Sequence, residues 1–385
     1  VSYRPVLYVI LACLLIQFVF TREIRGQMMP EEYGLGVQSS IIPVAGYSSD
    51  YGLFGGGYVQ RINYGIMVRP FVSNTAIRFT MSTKGNIISK VDYERTTTFG
   101  TDIRSRVLFD GLRLLSTTYF GIGNETEFSS VDYGDDIYFF EERTLSLRYW
   151  GRKNLSEFGN QAILDGQLLL TASYSNPVSG GNETLLTNDQ PRGYDGGWVN
   201  KAGLGLILDH RDSEFNPTAG YRFEANASAA GTLTGSEYSF TSYYLEARGY
   251  FSPVRDLVIA QKLEFQHAAG DIPFWELPVI GNELGLRGYP LNRFRDTSAL
   301  LHIIELRAWL FGILDNQIRF GAQAFLDTGR VLSSDNRFTD ISRDLKQTYG
   351  FGGAISLLNP DFIFRGDIAF SEDLYRIYLT VGYLF

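Results

Sequence analysis

The chain has 385 residues and a net charge of −8, with 44% hydrophobic and 20% charged residues. That balance excludes a disordered polymer and a helical membrane protein, and the acidic sign argues against nucleic acid as a partner. Aromatic residues reach 15%, and 41 Gly stand against 12 Pro; Tyr and Phe favour strands, and transmembrane barrels carry aromatic girdles at both interfaces.

Residues 1–26 read as a secretory signal peptide. Arg4 supplies a positive start, and Val6 to Phe20 is an apolar run broken only by Gln17. The run is shorter than the ~20 residues of a spanning helix. Ile24-x-Gly26 departs from a small-x-small cleavage site, so a retained anchor and a lipoprotein signal ending at Cys13 are the other readings. Cys13 is the only cysteine, which excludes a disulfide framework and a thiolate zinc site.

From residue 27 to 385 the chain reads as one domain of alternating strands. Successive strand side chains point to opposite faces, so alternation reports two environments. Candidate strands occupy 33–47 and 51–64, the latter kinked at Gly55-Gly56-Gly57. Strands at 75–83 and 86–97 flank a tight turn at Lys84-Gly85-Asn86. Residues 101–133 start as a strand and end in Tyr119-Phe120-Gly121-Ile122-Gly123. In 136–151, Leu145, Leu147 and Tyr149 lie opposite Ser146, Arg148 and Trp150. A strand at 161–174 leads to a polar loop at 176–198. Leu204 to Asp212 and 221–229 flank the turn 213–219, and 236–251 and 256–268 flank the turn 252–255.

A long connection, 269–298, follows and carries Leu286-Arg287-Gly288-Tyr289. In 299–311, Glu305 and Arg307 share a face with Ile303 and Trp309. In 317–331, Asp327 shares a face with Gln323 and Arg319. Strands at 362–371 and 375–385 close the chain, with Tyr375, Ile377, Leu379, Val381, Tyr383 and Phe385 on one face. Long connections at 176–198, 269–298 and 332–347 alternate with short ones at 213–219, 252–255, 312–316 and 358–361. About sixteen strands with this asymmetry predict an all-β, antiparallel transmembrane barrel in the bacterial outer membrane, its long loops outside and tight turns in the periplasm. Alternation alone does not say which face is inside.

An arginine at a glycine-flanked tip has no place in a lipid-facing wall. The loop is expected to fold inward, with Arg287 paired to Glu305 or Asp327, since a guanidinium fork matches a carboxylate. The bland alternative is a structural plug contact without switching. Asp209, Arg211 and Asp212 could hold a cation, but they read more simply as a charge cluster at a periplasmic turn. Arg365-Gly366-Asp367 spells an adhesion tripeptide, yet both charged residues fall on the lumen side of a strand. His210, His267 and His302 share no ligand spacing, and no nucleophile elbow or phosphate loop occurs. No enzyme, cofactor or metal is expected.

Four motifs together resemble the bacterial surface antigen family of outer-membrane barrels, the superfamily of BamA, TamA and FhaC. They are Leu286-Arg287-Gly288-Tyr289; Asp209-His210-Arg211-Asp212 with Asn216-Pro217-Thr218-Ala219-Gly220; Glu305-Leu306-Arg307; and Phe325-Leu326-Asp327. Tyr119 to Gly123 is a weaker fifth, and the terminal Tyr383 and Phe385 resemble the barrel assembly signal. The resemblance implies an inward-folded sixth extracellular loop with Asp327 as the main partner of Arg287. It also implies insertion by the general barrel-assembly machinery and work on outer-membrane components. Family members carry periplasmic POTRA domains, which are not found in this sequence. Periplasmic or lipoprotein partners are therefore expected in their place, together with outer-membrane lipid. The alternative is a loop-plugged channel or structural barrel with no client.

Overall fold

The computed structural model describes residues 36–385, apart from 66–67, 99, 159–161, 179–182, 215, 337–339, 341, 358–362 and 382. The expected leader, Cys13 and the start of the 33–47 strand lie outside the described residues, as do Phe215, Gly382 and the whole of the 358–361 turn.

The strands are β1 (Gly36–Ser48), β2 (Gly52–Gly65), β3 (Val68–Ser82), β4 (Ile87–Arg95), β5 (Arg104–Thr118), β6 (Phe139–Phe158), β7 (Ala162–Val178), β8 (Gly197–Asp209) and β9 (Gly220–Ala230). They continue as β10 (Phe240–Val254), β11 (Leu257–Gly270), β12 (Val279–Ile280), β13 (Phe294–Arg295), β14 (Ser298–Ile313), β15 (Ile318–Leu332), β16 (Lys346–Leu357), β17 (Ile363–Phe370) and β18 (Tyr375–Val381). All but β12 and β13 form one closed antiparallel barrel of sixteen strands. The sixteen-strand expectation holds. Closure removes the edges that an open sheet would expose, except along the seam between β1 and β18.

The apolar face is outside. Ile41, Val59, Ile77, Leu147, Leu206, Leu245, Leu306 and Phe351 are exposed, whereas Asp110, Glu246, Lys262, Glu305, Arg307, Asp327 and Arg365 are buried on the inner wall. This is the pattern of a barrel whose solvent is lipid. Three glutamates, Glu224, Glu246 and Glu264, sit side by side across β9, β10 and β11. The next inward row holds Arg222, Arg248 and Lys262, so the interior is laid in rows of opposite charge.

Two strands run past their expected ends. β6 continues to Phe158 and β7 to Val178. Gly151-Arg152-Lys153-Asn154 has the composition of a turn, but Arg152 pairs across the ladder with Asp165, and a bulge between Asn154 and Ser156 absorbs the irregularity.

The ladder that closes the ring differs from the others. Every residue of β1 has a register partner on β2, from Gly36↔Tyr64 to Ser48↔Gly52. Between β1 and β18, among the described residues, there is the single register pair Ser48↔Tyr378. Ser49 adds to it: its amide donates to the Ile377 carbonyl at 3.0 Å, and its side-chain Oγ accepts from the Ile377 amide at 2.9 Å. Among the described residues, the seam is thus joined at its long-loop end.

β18 also ends at Val381, which corrects the expected strand 375–385. Tyr375 and Val381 face outward, as alternation predicts. Phe385 does not: it is buried against Tyr250 of the far wall, ring centroids 6.3 Å apart. The last residues turn into the lumen rather than continuing along β1.

Candidate functional site: a buried arginine at the tip of an inward loop

The connection from β11 to β14 is not a solvated loop. Its two arms pair as β12 and β13, through Val279↔Arg295 and Ile280↔Phe294, and the tip between them lies inside the barrel. Leu286, Arg287 and Tyr289 are 0%, 0% and 1% exposed. Leu286 takes a positive φ of 58°, uncommon for a residue with a side chain, and packs among Ile280, Leu301, Ile303 and Val331. Gly288 has φ +101°, and a Cβ there would lie 2.9 Å from the Phe370 carbonyl carbon. Only glycine lets the tip pass that close to β17.

Arg287 is held from four sides. Its Nε and Nη2 donate to Asp327 Oδ2 and Oδ1 at 2.9 and 2.7 Å. Its backbone N–H donates to the same Oδ2 at 3.0 Å, and Nη1 donates to Glu305 Oε1 at 2.6 Å. The guanidinium lies over the Phe325 ring, 3.4 Å from the centroid, a cation–π contact in a desolvated place. Both expected acids are therefore partners, and Asp327 is the bidentate one. Burial alone would lower the Arg287 pKa, but Asp327 and Glu305 outweigh it and hold the group above its ordinary value.

The pair is part of a larger network. Arg307 donates through Nε to Glu305 Oε2 at 2.9 Å and through Nη2 to the Phe385 main-chain oxygen at 3.1 Å. Tyr383 lies under the Arg307 guanidinium at 4.1 Å. Arg365 Nε sits 3.0 Å from Asp367 Oδ2, and Asp367 Oδ2 is 3.9 Å from Arg287 Nη1. Gln323 donates to Asp367. Arg287, Arg307 and Arg365 thus face Glu305, Asp327 and Asp367, three charges of each sign, so the cluster is neutral. Neutrality is what makes burial of six ions tolerable.

Alternation had placed Arg365 and Asp367 on the lumen side, but it did not join them to Arg287. The sequence reading also missed Arg293, Arg295 and Asp50. Arg293 donates to Thr126 Oγ1 and to the Thr126 carbonyl at 2.6 and 2.7 Å, and pairs with Asp373. Arg295 donates to the carbonyls of Phe274 and Thr118 at 3.0 and 3.3 Å; burial lowers its pKa to about 10, with Glu142 opposing the shift. Alternation of arginine with Leu291 and Phe294 was the available signal for both. The weak motif Tyr119 to Gly123 docks here, since the Gly123 amide donates to the Arg295 carbonyl at 2.9 Å.

Asp50, in the turn between β1 and β2, ties the loop to the seam. Its Oδ1 accepts from the Leu291 amide at 3.2 Å and lies 3.3 Å from Arg376 Nη2. On the other side, Ser371 Oγ donates to the Gly288 carbonyl at 2.9 Å. The loop therefore reaches the turns that flank the joined end of the seam on both sides.

The motif at the far end of β8 builds a turn. Asp209 takes both Nε and Nη2 of Arg211, at 2.9 and 2.7 Å. Asp212 accepts from the Thr218 amide at 2.9 Å. The carboxylates are thereby committed to the turn, which favours the charge-cluster reading over a cation site. Pro217 lies within it, and Gly220 closes it with φ +104°.

The Omp85 superfamily domain matches residues 72–385 of this chain. The chain belongs to the Omp85 superfamily. The resemblance to the surface antigen barrels is borne out. The Omp85 barrel is similar in fold to the crystal structure of BamA from Haemophilus ducreyi lacking POTRA domains 1–3, with a TM-score of 0.61 and 14% identity over 90% of this chain and 70% of that one. It is similar to CdiB from Escherichia coli, with a TM-score of 0.61 and 11% identity over 89% of this chain and 62% of that one. CdiB from Acinetobacter baumannii gives a TM-score of 0.52 and 11% identity over 90% and 59%. The chain thus spans about three-fifths of either CdiB. No curated protein matches it in sequence.

Proposed function

We propose that this Omp85 barrel resides in the bacterial outer membrane and assists the assembly, insertion or translocation of envelope components, recruiting periplasmic or lipoprotein partners. The seam carries this reading. Among the described residues, most of the β1 edge lies without a ladder to β18, and an extended segment of a client could pair there by strand addition. An edge left open in an otherwise closed barrel is a liability unless it is used. The loop tip, bonded to Asp50 on one side and Ser371 on the other, is placed to hold the seam's joined end.

The test is to lock the seam. With Cys13 replaced, Ser48→Cys and Tyr378→Cys are combined at the register pair and oxidised. The expected outcome is stalled outer-membrane protein assembly in cells relying on the locked barrel, with recovery on reduction. Each single variant is the control. Full function of the oxidised barrel would remove the seam from the mechanism.

A second reading, a plugged channel without a client, is favoured by the loop itself. Arg287, Tyr289 and Phe294 are fully buried within the lumen, and three loop arginines each have their own acceptors. Ion conductance in planar bilayers with no assembly defect on depletion would select it.

A further inference from the structure

Arg61 of β2 lies on the outer wall. It is exposed, and it shares a face with Val59, which is 42% exposed. Register places Ser39 and Thr75 directly beside it on β1 and β3, and Asn63 beside Val37 and Ser73 one row nearer the strand end. Arg61, Asn63, Ser73, Thr75 and Val37 line a pocket of about 210 Å³. The next outward row toward the barrel's middle is apolar: Ile41, Val59 and Ile77. No side chain of Arg61, Asn63, Ser73 or Thr75 makes a hydrogen bond or ion pair with a described residue, and no acid stands on this face among them.

This is an arginine facing the membrane with donors around it and no counter-ion. It stands four residues from the end of β2 at Gly65, about 10 Å along the barrel axis for a strand tilted as in such barrels. That depth is the headgroup level of the leaflet at the short-turn end. An unpaired cation at a membrane surface is expected to meet an anion, and a guanidinium with amide and hydroxyl neighbours fits phosphate oxygens.

The wall above the pocket is also shaped. Beyond Val59, the outward positions of β2 are Gly57 and Gly55. A Cβ on Gly57 would meet nothing within 4 Å, and one on Gly55 only the Val44 carbonyl at 3.9 Å. The flanks are Pro43 and Ala45 on β1 and Phe79 and Met81 on β3, with Phe79 and Met81 about half exposed. Beyond the Val59 row, a strip of β2 without side chains thus lies in the apolar wall between Pro43 and Ala45 on one side and Phe79 and Met81 on the other.

We propose that the outer face of β1–β3 is a phospholipid site, in which Arg61, Asn63, Ser73 and Thr75 take the headgroup phosphate and one acyl chain lies along the Gly55–Gly57 strip. The inference rests on the barrel crossing a membrane and is independent of any client. The occupant is a glycerophospholipid rather than free phosphate, because the phosphate pocket and the hydrocarbon strip lie on one face of β2, one apolar row apart.

The purified barrel is titrated with phosphatidylglycerol in detergent micelles and read by native mass spectrometry, with inorganic phosphate as the second probe. The wild type is expected to retain one lipid, and inorganic phosphate not to displace it. Arg61→Gln is expected to weaken retention roughly tenfold, the scale of one lost charge-assisted contact. Gly57→Leu, which fills the strip and leaves every polar group in place, is expected to weaken it as well. Heat-modifiable mobility confirms that each variant is folded. Retention unchanged in Arg61→Gln overturns the site. Competition by inorganic phosphate, or retention unchanged in Gly57→Leu, overturns the lipid as its occupant.

Discussion

Arg287 shows how a charge can be fixed inside a barrel. Its fork matches Asp327, its third nitrogen reaches Glu305, and its flat face covers Phe325, so every polar edge has an acceptor. Removing it leaves two arginines facing three carboxylates in a buried place. Arg287→Ala is expected to destabilise the barrel by about 3–5 kcal/mol, seen as a lower urea midpoint and faster proteolysis of the loop. Arg287→Lys keeps the charge but cannot make the bidentate pair, and should fall between the two. An alanine variant with wild-type midpoint and loop protection would show that the pairing holds nothing in place.

At the scale of elements, two connections do opposite work. The loop between β11 and β14 fills the lumen, while the turn between β8 and β9 reverses the chain in few residues. Gly220 is the sensitive point of that turn. A Cβ there would lie 2.0 Å from the His210 carbonyl oxygen at a φ of +104°. Gly220→Ala is expected to cost about 1–3 kcal/mol, and Thr218→Ala about 1 kcal/mol for the lost bond that Thr218 Oγ1 donates to Asp212 Oδ2 at 2.5 Å. Both are read from urea unfolding followed by far-UV circular dichroism. Equal effects of the two would mean that the backbone is not the constraint. The turn was legible in the sequence because its acids, proline and glycine act on near neighbours. So was the alternation that put Glu305, Asp327, Arg365 and Asp367 on one side of the wall. What was not legible depends on distant segments: the berths of Arg293 and Arg295, the bond from Asp50 to Leu291, and the inward turn at Phe385. Local pattern carries no trace of a partner two hundred residues away.

For the molecule as a whole, the loop stops the lumen and steadies the seam. Replacing residues 282–292 by a short Gly-Ser linker is expected to raise single-channel conductance and to weaken the joined end of the seam, because Asp50 and Ser371 lose their common partner. Planar bilayer recordings check the first effect, and cross-linking yield between cysteines at positions 48 and 378 checks the second. A silent bilayer trace would mean that the wall side chains alone close the pore.

The bonds that seat the loop also set an order in time. Asp327, Phe325, Asp367, Ser371 and Tyr378 all follow Arg287 in the chain, and the joined end of the seam links Ser49 to Arg376 and Ile377. A growing or partly inserted chain therefore has an incomplete seat for the tip until β17 and β18 bring Asp367, Ser371 and Tyr378. Contacts of such long sequence separation form late. Full docking of the loop is then a late step of the barrel's own folding, and a protease-resistant tip would mark the molecules in which the ring has closed.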